Sequence, residues 1–114
     1  MNLHEISELS NHDLNLKVAK LLGWERFPDK DQSFCTEYWA RFENGHFKED
    51  GYLPSYVTDL NACHKMVETL RSLDGPEWFD FSKNLREICG SIPNCINATA
   101  RQRCEALVMT LTEA

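Results

Sequence analysis

The side chains that could carry acid–base, nucleophilic or metal chemistry are four histidines and five cysteines. His4, His12, His46 and His64 are spread over terminus, loop, turn and helix. None forms H-x-x-H or H-E-x-x-H, the spacings that bring two imidazoles to one metal. Cys35, Cys63, Cys89, Cys95 and Cys104 are odd in number and contain no C-x-x-C pair. Cys63 and His64 are neighbours, so on a helix their side chains diverge by about 100° and do not share an ion. Cys63 and Cys104 fall on apolar stripes, where a thiol packs as a small hydrophobe. Reduced structural cysteines are therefore expected, with Cys89 and Cys95, which bracket a loop, the pair most prone to oxidise in air. No G-x-S-x-G elbow, G-x-G-x-x-G or Walker loop is present. These residues predict a protein that is not an enzyme and holds no metal or cofactor.

Two other groups of side chains could bind. Arg101 and Arg103 open a helix, where the dipole prefers acids. One reading is structural: the stems pack over the core and pair with Asp59 or Glu105. The other is an anion site, two guanidinium groups beside free helix N–H groups, suited to a phosphate or a partner's carboxylate. Aromatics crowd one third of the chain, at Trp24, Tyr38, Trp39, Phe42, Phe47 and Tyr52. Trp39 and Arg41 share one side of a strand with period 2. They are core if that face is covered, or a contact platform or dimer surface if it is open. The candidate partner- or anion-binding residues are thus Trp39, Arg41, Arg101 and Arg103.

The elements that position them read as follows. Leu3, Ile6 and Leu9 form a short helix, or residues 1–12 are a frayed terminus. Asp13 caps a helix with Leu14, Val18, Leu21 and Leu22 on one face, Gly23 ends it, and Trp24 packs back over it. Residues 25–33 read as a polar loop. Residues 34–42 alternate as a half-buried strand, and Asn44-Gly45 predicts a hairpin returning near His46–Lys48. Thr58 or Ser55 caps a helix reaching Leu73, with Leu60, Cys63, Val67, Leu70 and Leu73 as its stripe. Residues 77–90 place Trp78, Phe81, Leu85 and Ile88 at helical spacing, which favours a helix ending at Gly90 over the strand that Phe79 and Phe81 across Asp80 would mark. After a loop, Thr99 and Gln102 form a capping box for a last helix striped by Cys104, Leu107, Val108 and Leu111.

A chain of 114 residues with 42% hydrophobic side chains predicts a single domain over 1–114. The fold class expected is α+β, a small antiparallel sheet of two or three strands sandwiched between helices. Eighteen acids against twelve bases give a net charge of −6 without a basic stripe, which argues against direct nucleic-acid binding. No apolar run reaches the ~20 residues a membrane span needs, and the start lacks the character of a signal peptide, so a cytoplasmic protein is expected.

Three segments carry a kinship signal: Leu22-Gly23-Trp24, then Pro54-Ser55-Tyr56-Val57-Thr58-Asp59-Leu60, then Ala98-Thr99-Ala100-Arg101-Gln102-Arg103-Cys104-Glu105-Ala106-Leu107. In this order the chain resembles the phage ABA sandwich domain family, small phage- and prophage-encoded proteins mostly of unassigned function. The pattern departs over 77–97, where the family commonly has a strand. The resemblance implies helices on both sides of a sheet and no catalytic residues. It also implies an accessory protein in the cytoplasm of a bacterial host, acting by binding a host or defence protein. The alternatives are a phosphorylated-ligand or nucleotide sponge using the arginine pair, and a structural or regulatory phage protein without a host target. A homo-oligomer is compatible with each.

Overall fold

Helix formation begins at Asn2, whose side-chain oxygen accepts from the Glu5 amide at 2.9 Å and caps α1 (Leu3–Ser7). The computed structural model describes residues 2–27, 38–72, 76–91, 95 and 97–112, except the side chains of Phe27, Tyr38, Ser72 and Pro76. Residues 28–37 (part of the expected loop, the first residues of the expected strand and Cys35), Leu73, residues 92–94 and Ile96 lie outside them.

Ser10, rather than Asp13, caps α2 (Asn11–Leu21): its hydroxyl accepts from the Asp13 amide at 3.1 Å. Both residues are competent caps. The earlier start leaves Asp13 in the first turn, where its charge complements the dipole. Gly23, at φ +98°, turns the chain out of the helix. The next residues are not loop. Trp24–Phe27 form β1, antiparallel to β2 (Tyr38–Glu43), with Trp24 opposite Arg41 and Arg26 opposite Trp39. Four residues carry too little periodicity to announce a strand; the free edge of β2 makes them one.

Asn44 at φ +52° and Gly45 at φ +79° supply the two positive angles of a tight hairpin turn into β3 (His46–Gly51). The sheet order is β1-β2-β3. Arg41 pairs with Glu49 and Phe42 with Phe47, so Lys48 is an extra residue that bulges the outer strand.

Asp59 opens α3 (Leu60–Ser72), in place of the expected Thr58 or Ser55. Its carboxylate accepts from the Asn61 amide at 2.9 Å, while the Ser55 and Thr58 hydroxyls bond each other at 2.6 Å. Leu60 leaves the predicted stripe and is exposed; Cys63, Met66 and Leu70 are buried. The helix favoured for residues 77–90 is α4 (Pro76–Cys89), with proline at its first position and Gly90 at φ +86° ending it.

The capping box at Thr99 is reciprocal. Gln102 N–H donates to the Thr99 hydroxyl at 3.1 Å, and Thr99 N–H donates to the Gln102 side chain at 2.9 Å. It starts α5 (Ala100–Thr112). Every residue from Cys104 to Thr110 is buried, well beyond the one stripe expected. Each of α1, α2, α3 and α4 packs on α5, which is the axle of the core. Among the described residues the chain is one α+β domain of five helices and a three-stranded antiparallel sheet, the class its sequence predicts.

Candidate functional site

The three segments singled out in the sequence are joints of this fold. Asn15 on α2 donates to the Pro54 carbonyl at 3.0 Å and accepts from the Tyr56 amide at 2.7 Å. The Trp24 indole N–H donates to the Tyr56 hydroxyl at 2.8 Å in a buried bond, and burial pushes that phenol up. These contacts fix the 54–59 turn against β1 and leave a gap between the sheet and α3.

That gap is a cleft of about 550 Å³, within the usual range for ligand or side-chain recognition. Tyr56 and Met66 contribute its apolar lining; Arg41, Glu49, Asp59, Lys65 and Glu68 bring charge to it. Arg41 is held by Glu43 and by Glu49, whose carboxylate lies 3.0 Å from its terminal nitrogen. Burial opposes the Arg41 charge, but its carboxylate partners outweigh burial and raise its pKa. The Arg41 bond in turn holds the Glu43 carboxyl below its usual range. With Arg41 neutralised in this way, the cleft is left with Asp59 and Glu68 against Lys65.

A second groove, about 630 Å³, runs between α2 and β1. His12, Leu16 and Lys20 lie at i, i+4 and i+8 along one wall, with Trp24, Arg26 and Trp39 opposite. Glu25 also lines it, so Lys20 and Arg26 leave it a cationic surplus of one charge in a chain whose net charge is −6.

The four predicted contact residues are not brought together. Trp39 is 5% exposed and belongs to the core, so the platform reading gives way to the core reading. Arg41 shares its face of β2 but lines the other cavity. Arg101 bonds the side-chain oxygen of Asn11 at 2.6 Å and the carbonyls of Leu9 at 2.7 Å and Ser7 at 3.3 Å, tying the α1–α2 junction to α5. Glu105 lies 4.0 Å from it, as the structural reading of the arginines anticipated. Arg103 donates to the Ala98 carbonyl at 3.3 Å. Protein oxygens thus use donors of both Arg101 and Arg103, the arrangement the structural reading calls for.

Among the described members of the aromatic cluster Phe47 and Tyr52 are exposed, while the sequence did not single out the exposure of Phe79 or the groove between α2 and β1. The groove could not be found without β1, because a loop gives Arg26 no side to face. Among the described residues no group of three or more His, Cys, Asp or Glu is placed to hold a metal ion, and no helix is long and apolar enough to cross a membrane. No family model, curated protein or solved structure matches the chain.

Proposed function

We propose that this is a phage- or prophage-encoded accessory protein that works in the bacterial cytoplasm by binding a host or defence protein, and that it is not an enzyme. The phage origin rests on the three-segment resemblance. The observation that carries the binding role is the cleft between the sheet and α3, with its surplus of carboxylate and its apolar lining at Tyr56 and Met66. Such a cleft suits a basic side chain of a partner, and the net charge of −6 speeds encounter with a basic surface. The test is capture from bacterial lysate at low salt by the wild type and by Glu68→Lys, which reverses one charge of the cleft wall. A stoichiometric partner whose recovery falls at least tenfold in the variant, with unchanged circular dichroism, supports the reading. No stoichiometric partner, or undiminished capture by the variant, defeats it.

A second reading, a sponge for phosphorylated ligands, is favoured by the cationic groove rather than by Arg101 and Arg103. His12, Lys20 and Arg26 would meet the phosphate, and the two buried indoles beside them would report its arrival. Titration with ADP and with inorganic phosphate should quench tryptophan emission saturably in the wild type and not in Lys20→Glu. A flat titration of the wild type removes this reading.

A further inference from the structure

Sulfur-bearing side chains converge where α3 meets α5. Cys63 and Met66 stand at i and i+3 on α3, so they share one face of that helix. Ala100 and Cys104 stand at i and i+4 on α5 and likewise share a face. The Cys104 sulfur lies 4.0 Å from the Met66 sulfur, and the Cys63 thiol donates to the Ala100 carbonyl at 3.9 Å. Within a helix that carbonyl accepts from the Cys104 amide, so the Cys63 sulfur sits beside the backbone that carries Cys104. The two contacts pair successive turns of the helices and place Cys63, Met66 and Cys104 in one layer. All three are buried, at 0%, 1% and 0% exposure.

Two thiols and a thioether are soft donors, the set that selects Cu(I) over the harder divalent ions. An ion bonded in plane to three sulfurs at about 2.3 Å keeps each pair of sulfurs about 4 Å apart. Met66 and Cys104 already have that spacing. Met66 also lines the cleft between the sheet and α3, where the Asp59 and Glu68 carboxylates draw a cation toward it. Its unbranched side chain has three rotatable bonds, so it can swing aside to admit an ion from the cleft. Because one donor is a thioether and the others lie on separate helices, no H-x-x-H or C-x-x-C spacing announces the site in the sequence.

We propose that Cys63, Met66 and Cys104 are a binding site for one Cu(I) ion, entered from the cleft past Met66. On binding, the two thiols release their protons to solvent and the ion takes the place of those protons on sulfur. The thioether adds a lone pair and loses nothing, and no atom is oxidised or reduced. Two thiolates with Cu(I) sum to one negative charge, on a helix whose first turn carries Arg101 and Arg103. The bound ion would bridge α3 to α5, two elements of the core.

The probe is Cu(I), supplied without oxygen as its coloured bicinchoninate complex. The protein is the full-length chain carrying Cys35→Ser, Cys89→Ser and Cys95→Ser, in which Cys63 and Cys104 are the only thiols. The expected result is transfer of one equivalent of copper to the protein. Copper-edge X-ray absorption should then report three sulfur neighbours at about 2.3 Å and no nitrogen or oxygen. Met66→Leu in the same chain keeps the core volume and removes one donor. With unchanged circular dichroism, it should hold copper at least tenfold more weakly and show two sulfur neighbours. A coloured complex left intact by the parent chain, a nitrogen or oxygen neighbour at the copper, or equal affinity in Met66→Leu overturns the proposal. None of these outcomes depends on capture of a partner protein.

Discussion

Glu105 is the side chain whose charge is worst placed. It lies in the buried stretch of α5, 8% exposed, with Arg101 at 4.0 Å. Burial pushes its carboxyl up and the Arg101 charge opposes, with burial the larger effect. A group with a raised folded pKa binds its proton more tightly in the folded chain. Its contribution to stability is complete below the ordinary carboxylate range and is lost as pH rises through the folded value. Glu105→Gln should therefore be more stable than the wild type toward urea at pH 7, with the gap closing near about pH 4. A variant less stable than the wild type at pH 7 would mean that the Arg101 pairing outweighs burial. Glu43 has the opposite sign, held low by Arg41, but it is largely exposed and weighs little. The Arg101–Glu105 pair was legible in the i, i+4 spacing, but the burial of Glu105 and the other partners of Arg101 were not. Asn11, the partner of Arg101, lies 90 positions away, and only the folded chain shows that a cation at a helix start serves another helix.

At the scale of elements, Gly23 ties a helix end to a sheet. A Cβ there would stand 2.1 Å from the Phe42 carbonyl oxygen, and the Phe42 amide already donates to the Gly23 carbonyl at 2.9 Å. The obstacle is backbone, so no side-chain rotation relieves it, and the positive φ adds its own strain. Gly23→Ala should cost about 3 kcal/mol or more in urea unfolding, and a loss under about 1 kcal/mol would show that β2 shifts freely. Gly45→Ala is the matched control, since its Cβ meets nothing within 4 Å. Signals of this local kind were the readable ones: Gly23 after a periodic run, Asn44-Gly45 between alternating residues, the Thr99 box. What escaped was decided by contact between distant segments. β1 exists because β2 offers an edge, and Leu60, the first residue of α3, faces solvent. The α5 stripe widened to a full circumference because four helices pack on it, with Asn84 bonding the buried Thr110 hydroxyl at 3.1 Å.

For the molecule as a whole, charge and shape are unevenly shared. The acidic total conceals one cationic groove, and the helical core carries the sheet with its outer strand uncovered by other described elements. The Lys48 bulge and the run Lys48-Glu49-Asp50 disfavour addition of another strand at that edge. A partner is better served by the cleft than by strand pairing. The central place of α5 also bears on how the chain is made. The helix on which all four others pack is the last described element to leave the ribosome. Until residues 100–112 are synthesised and released, Ile6, Leu14 and Val18 lack the wall they are buried against. N-terminal segments therefore wait, exposed, until residues 100–112 can join them, and the core closes only then.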